Sequence, residues 1–353
     1  MERLVFKPYT RAQVDFEIRD SIGDEGKNSE TYVAHDPQID ATIVIKAVEK
    51  EKIEEDLYFA ESQTMYRSSH PNVVPILYAC QDENRIYIAM PYLENGSVKS
   101  LIAKRYLSVR EIVSLACQVL SGLHNVHSKR LVHFDVKPDN MLLTARGEAV
   151  LSDFGLAKAM AANGAAEQDR FYFKNKPPEA LQGGYEFGPT FDVYQFGLSL
   201  YRMCNGDESF YRQFGSFFDE EGGFNRDAFK FAVRNERFPD RSHFLEHIPE
   251  RLRRICKKCL SSDPADRYQS AIEVSNELAM IDLSYMDWGY QELEGCRVWK
   301  KNVEGTEYEF TVQPDGVTEM TKSVNGGDAR RVRQYCTQGM TNRQIRTALG
   351  EAS

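Results

Sequence analysis

The stretch His133-Phe134-Asp135-Val136-Lys137-Pro138-Asp139-Asn140, followed thirteen residues beyond Asn140 by Asp153-Phe154-Gly155, constrains this 353-residue chain more than any other feature. Asp135 and Asp153 carry carboxylates, Lys137 a cation and Asn140 an amide, residue types that proton transfer, anion neutralisation and hard-cation binding all draw on. Such groups act together only when the backbone between them is held rigidly, so the flanking segments must supply a scaffold. One is legible at once. Ser108 and Glu111 match a capping box, and Ile112, Ala116, Val119, Leu123 and Val126 fall on one helical face, which predicts a helix delivering the chain to His133.

The first hundred residues read differently. Residues 16–23, 31–36, 42–48 and 85–93 mix β-branched and aromatic residues over strand lengths, and residues 54–68 between them carry helix formers up to the breaker His70-Pro71-Asn72. The pattern predicts a small sheet with one inserted helix. Beyond residue 98 helices dominate, with amphipathic runs from Asp192 to Met203 and from Pro249 to Leu260, and a long loop with one or two helices over 205–250. After Met286 strand-like alternation returns at 297–303, 307–312 and 317–324, with Asp315-Gly316 as a hairpin signal, and helical patterns follow at 328–337 and 341–349.

Read together, these motifs resemble the eukaryotic-like serine/threonine protein kinase superfamily, with the non-RD type of loop because Phe134 stands in the Arg position. The resemblance covers residues 15–282. It implies an α+β, bilobal fold with a small β-rich N-lobe, a larger helical C-lobe and a small C-terminal α+β appendage. The expected organisation is an N-terminal extension at 1–14, a kinase domain at 15–285 with the N-lobe ending near residue 93, and a C-terminal domain of strands then two helices at 286–353. It further implies ATP and Mg²⁺ as cofactors. Lys46, ending Ile43-Val44-Ile45-Lys46, corresponds to the lysine held against the α and β phosphates, and Glu61, nine residues before His70, to its helix partner, with Glu54 and Glu55 as alternatives. Asp135 would orient the substrate hydroxyl and accept its proton, Lys137 would neutralise the γ-phosphate, and Asn140 and Asp153 would hold the metal. Met90, Pro91 and Leu93 match the adenine-binding hinge, Val44 and Leu142 its apolar plates, and Gly23 and Gly26 a phosphate-covering loop that departs from the usual glycine spacing. Pro177-Pro178-Glu179, Asp192 and Arg267 match structural positions that set the superfamily apart from simpler phosphotransferases.

Two departures bear on regulation. Phe134 replaces the arginine that often clamps an activation-segment phosphate, and the segment from Phe154 to Pro178 contains no Ser or Thr, only Tyr172. The two absences agree, since a segment without a phosphate needs no clamp. Packing around Phe171, Tyr172 and Phe173 is expected to hold the segment instead. Tyr172 also takes the place of the usual Thr, so peptide selection near the acceptor is open.

A net charge of −9 argues against broad nucleic-acid or anionic-membrane binding, and the five arginines Arg330, Arg331, Arg333, Arg343 and Arg346 do not reverse it. Seven scattered cysteines suggest a reducing compartment, and with no apolar run of spanning length the expected location is cytoplasmic. Cys256 and Cys259 are expected to face inward from a helix. The expected partners are a protein substrate and a regulatory or docking protein at the C-terminal domain, with no membrane or nucleic acid. The competing readings are a nucleotide-binding pseudokinase scaffold and a small-molecule kinase of the aminoglycoside-phosphotransferase type.

Overall fold

The computed structural model describes residues 13–22, 29–52, 59–169, 171–282 and 285–351. Two compact units divide the chain, one of Met1–Ser69 with Val74–Tyr92 and one of His70–Val73 with Leu93–Ser353.

The first unit is an antiparallel sheet of β1 (Glu17–Ser21), β2 (Ser29–Asp36), β3 (Ala41–Glu49), β4 (Tyr78–Gln81) and β5 (Arg85–Pro91), in the order β1-β2-β3-β5-β4, with helix α1 (Ala60–Arg67) inserted after β3. Its core is Ala34, Ile43, Ile45 and Ala89, covered by Phe16, Tyr78 and Tyr87. The β2–β3 turn is an Asx-type reversal: the Asp36 carboxylate accepts the Gln38 N–H at 2.9 Å, and Asp40 adopts φ 50°.

The second unit opens with α2 (Val98–Lys104) and α3 (Val109–Ser128). In α3 the Ser108 side chain accepts the Glu111 N–H while Glu111 accepts the Ser108 N–H at 2.9 Å, so the predicted capping box forms. Gly122 of this helix is required by contact, because a Cβ there would lie 2.3 Å from the Asn72 carbonyl oxygen. Short pairs follow: β6 (Leu131–Val132), β7 (Met141–Leu143), β8 (Ala149–Leu151), β9 (Lys158–Ala159) and β10 (Ala166–Glu167), then α4 (Pro178–Leu181) and β11 (Glu186–Phe187). Helix α5 (Pro189–Asn205) is buried continuously from Phe191 to Asn205, so the amphipathic pattern expected there is instead the signature of a central helix. Helices α6 (Asp207–Gly215) and α8 (Glu250–Cys259) pack against it, α7 (Arg226–Arg234) packs on α4, and α9 (Ala271–Leu278) on α3 and α8. Cys256 and Cys259 face inward and are fully buried, and burial pushes the Cys256 thiol up to about 12.

The C-terminal residues form β12 (Gly289–Leu293), β13 (Cys296–Val303), β14 (Thr306–Val312), β15 (Val317–Val324), β16 (Arg330–Arg331) and β17 (Thr337–Gln338), closed by α10 (Asn342–Glu351). Trp288, Trp299, Phe310, Met320, Ile345 and Leu349 build its core, and the Trp288 indole donates to the Leu349 carbonyl at 2.7 Å. In place of the helix expected over 328–337 there are two short strands on either side of a 3₁₀ turn at Arg333–Tyr335. Edge strand β15 draws β16 and β17 onto its open hydrogen-bonding side, and Val332 donates to the Met320 carbonyl at 2.8 Å, so pairing overrides local helix propensity. This β-rich appendage is fastened to the helices. Arg110 grips Asp287 at 2.5 and 3.0 Å, Arg297 meets Glu246 at 2.6 Å, and the Trp299 indole donates to His247 Nδ1 at 3.4 Å. Burial drives His247 down to about 4, which keeps the ring neutral so that Nδ1 can accept that bond. Among the described residues no helix is long and apolar enough to cross a membrane.

Candidate active site

Chain entering from β6 must turn sharply to present residues 133–140, and Phe134 does so in the left-handed region at φ 65°. Such a setting costs a bulky residue about 1–2 kcal/mol, so something must over-determine it. Asp192, wholly buried on α5, supplies the restraint: its two carboxylate oxygens accept the His133 and Phe134 N–H groups, each at 2.8 Å, and one also meets His127 Nε2 at 2.8 Å. One helical turn later Gln195 accepts the Val136 N–H at 2.9 Å and donates to the Phe134 carbonyl at 3.0 Å. Sequence reasoning found Asp192 and missed Gln195. Its i, i+3 spacing from Asp192 on one helix face is too common among polar residues to single it out.

The turn brings Asp135, Lys137 and Asn140 together. Lys137 Nζ lies 2.9 Å from Asp135 Oδ2, and Asn140 Nδ2 donates to that oxygen at 2.7 Å and to the Asp135 carbonyl at 2.9 Å. With its amide nitrogen so engaged, Asn140 has its side-chain oxygen as the atom to offer a cation. Asp135 Oδ1 is buried and meets no donor among the described residues. Burial, opposed by Lys137 and reinforced by the charge of Asp153, pushes the Asp135 carboxyl up to about 6. Burial works against the Lys137 ammonium as well, but the Asp135 charge prevails and holds its pKa above the ordinary lysine value.

Asp153 is half-buried at φ 59°, and its Oδ1 accepts the Gly155 N–H at 3.3 Å. Phe154 is buried edge-on against the His133 ring, with centroids 4.8 Å apart. No group of three or more His, Cys, Asp or Glu gathers as a metal cage among the described residues. An amide oxygen and a carboxylate suit Mg²⁺ shared with a phosphate chain rather than a cation caged by protein alone.

Beyond Asp153 the three adjacent aromatics part company. Phe171 stacks on Phe191 at 5.1 Å and meets Phe134 and Phe187 edge-on at 6.1 and 5.5 Å, in a cluster completed by Val132, Ala166 and Ala180. The Tyr172 ring lies under the Lys137 ammonium, 3.8 Å from its centroid. Phe173 turns to Phe224 and Phe229, at 5.4 and 5.3 Å. The segment ends at Glu179, held bidentately by the buried Arg267 through two 2.7 Å bonds.

In the first unit Lys46 Nζ meets Glu61 Oε1 at 2.7 Å, with both side chains largely buried. Glu54 and Glu55 lie outside the described residues, as do Gly23 and Gly26. Val44 sits opposite Met90, and Lys46 opposite Ile88, across the β3–β5 pair, so Val44, Lys46 and Met90 share one sheet face. Pro91 closes β5 opposite Ile43. In the second unit the Leu93 carbonyl accepts the Gly96 N–H at 3.1 Å, and Leu142 lies on β7 paired with Val150.

Comparison with known proteins adds a family. Residues 16–277 match the family model described as protein kinase domain. Among curated proteins the chain is 28% identical over 279 residues to a probable serine/threonine-protein kinase of Clostridium perfringens, covering 75% of this chain and 38% of that protein. It is 25% identical over 324 residues to the serine/threonine-protein kinase PknD of Chlamydia caviae, covering 82% of this chain and 32% of that one. A third relative, the serine/threonine-protein kinase STE20 of Candida glabrata, is 28% identical over 184 residues, 52% of this chain and 20% of the relative. The chain thus spans about a third of the length of the first two curated relatives.

Proposed function

The chain belongs to the protein kinase family, and on that premise we propose that it transfers the γ-phosphoryl group of ATP to serine or threonine hydroxyls of a protein, in the presence of Mg²⁺. The observation that carries this reading is the buried Oδ1 of Asp135, which meets no donor among the described residues, beside the Lys137 ammonium. A substrate hydroxyl gives its proton to Oδ1 as its oxygen bonds to the γ-phosphorus and the bond to the β,γ-bridging oxygen breaks. Lys137 offsets charge on the transferred group. Lys46, pinned by Glu61, holds the α and β phosphates. Bound Mg²⁺ supplies neutralisation of the phosphate oxygens, and Asn140 and Asp153 are the residues to hold it. Pro91 and Leu93 offer adenine a backbone carbonyl and N–H, with Val44, Met90 and Leu142 as apolar lining and Gly23 and Gly26 over the phosphates. A metal-dependent transfer assay with Mg-ATP, followed by mass spectrometry of substrate and enzyme, tests the proposal. Lack of transfer to any hydroxyl favours a scaffold instead.

Lys46→Met is expected to lower transfer by about a hundredfold or more, because the phosphates lose an anchor while Glu61 remains. A variant keeping most of the wild-type rate removes Lys46 from this role.

The pH dependence has a definite sign. Only ionised Asp135 can take the hydroxyl proton, so the rate should rise with pH and reach half its plateau near the carboxyl's pKa of about 6. A half-point in the ordinary carboxylate range near pH 4 separates the acceptor from Asp135.

The activation segment is proposed to be ordered without phosphate, and residues 286–353 to be a domain that docks a regulatory protein. The Phe134–Phe171–Phe191 cluster supports this reading, since it packs the segment through rings alone. Phosphatase treatment should leave the rate unchanged, and Tyr172→Phe, which retains the ring beneath Lys137, should transfer at near-normal rate. A large loss in that variant, with activity in the wild type depending on Tyr172 phosphorylation, rules out the phosphate-free arrangement.

A further inference from the structure

Arg254 and Lys258 stand four residues apart on α8, with Lys257 beside them, and all three are exposed. Like charges at that spacing repel. Among the described residues none of the three forms an ion pair with a carboxylate, and Lys258 lies instead over the Tyr268 ring, 4.3 Å from its centroid. With Ser261, Ser242, Glu236 and Arg241 they line a cavity of about 560 Å³.

The chemistry of that cavity is one-sided. Its single carboxylate is already committed: Glu236 accepts the Ser262 N–H at 2.8 Å and meets Arg241 Nη1 at 2.9 Å. Glu236 does so from φ 59°, a left-handed setting that few non-glycine residues adopt, so the fold holds this contact against a backbone cost. Arg241 has a side chain only 10% exposed, and its Nε and Nη2 meet no acceptor among the described residues. Those two atoms form the side edge of the guanidinium, whose parallel N–H bonds match two oxygens of one oxyanion. A buried donor pair left unmatched is costly, which points to an anion rather than to an ordinary solvated basic face.

We propose that this cavity is a binding site for a phosphomonoester dianion, neutralised by Arg254, Lys257 and Lys258 and met by the Nε–Nη2 edge of Arg241 once that buried edge turns toward it. One Glu236 charge against four cations leaves a surplus suited to a dianion rather than to a single carboxylate. The phosphoryl group can come from free phosphate or from a phosphoserine or phosphothreonine side chain.

The test uses the whole chain, ¹⁵N-labelled, with ionic strength held constant by chloride. It is titrated with inorganic phosphate, with a short phosphoserine peptide and with the same peptide unphosphorylated. Saturable amide shifts at Ser242, Ser261 and Ser262 are expected with the first two ligands and not the third. Arg254→Ala combined with Lys257→Ala, both at exposed positions, should weaken binding by about tenfold or more without moving the thermal midpoint. Saturation by the peptide at lower concentration assigns the source to a phosphorylated chain, and equal midpoints assign it to the free anion. Shifts that never saturate, or a double variant that binds like the wild type, overturn the site.

Discussion

Asp153→Asn is expected to lower Mg²⁺-dependent phosphoryl transfer by about a thousandfold or more while leaving the thermal midpoint within about 2 °C of wild type. The substitution keeps the shape of the side chain and removes its charge. Asn tolerates the left-handed φ of 59° at least as well as Asp, and its side-chain oxygen can still accept the Gly155 N–H. Folding therefore loses little, whereas an amide is a far weaker ligand than a carboxylate for a hard dication. A second readout separates this from a merely local disturbance. The Asp153 charge is one of the influences raising Asp135, so its removal should lower the Asp135 pKa from about 6, visible by NMR titration of the carboxyl. Wild-type transfer by the variant refutes the metal role. Lost transfer with an unmoved Asp135 titration argues that the two carboxyls are not electrostatically linked.

The parts of the site legible in the sequence are those whose chemistry is local. Asp135, Lys137, Asn140 and Asp153 sit in two short motifs, and the structure gathers the first three on one turn. Lys46 and Glu61 were legible through the family resemblance, which sets a helix glutamate nine residues before His70 against this lysine, and the pair meets at 2.7 Å. What was not legible depends on long-range partners. Gln195 looks like any polar residue on a helix until its helix proves to be buried all round and Val136 and Phe134 prove to need it. Strands β4 and β12 escaped notice because each is short, which leaves too few residues for an alternation to stand out. Residues 328–337 read as helical by local pattern, yet the unpaired side of β15 offered backbone partners that a lone helical turn could not match. The aromatic run at 171–173 was expected to hold its segment by packing, and its rings go to three different neighbours, a division no periodicity argument resolves.

That division gives the Phe134 cluster its weight. Phe134 is 1% exposed and touches Phe171, Phe187 and Phe191, so Phe134→Ala should destabilise the second unit by about 3–5 kcal/mol, read as a lower denaturation midpoint. Alanine also keeps the Asp192 bonds to the backbone, since those are made to N–H groups, and so the loss falls on ring packing alone. If those rings are what order the activation segment, two consequences go together. Proteolysis between Phe154 and Pro178 should speed up at temperatures where the rest of the chain remains folded, and transfer should fall by more than the unfolded fraction accounts for. Phe134→Leu, which refills much of the cavity, should recover most of both. Phe134→Arg should be worse than alanine, because it buries a cation among phenylalanines with no phosphate on the segment to meet it. An arginine variant as stable and active as wild type would mean that the segment carries an anion after all, and would reverse the argument that aromatic packing replaces the phosphate clamp.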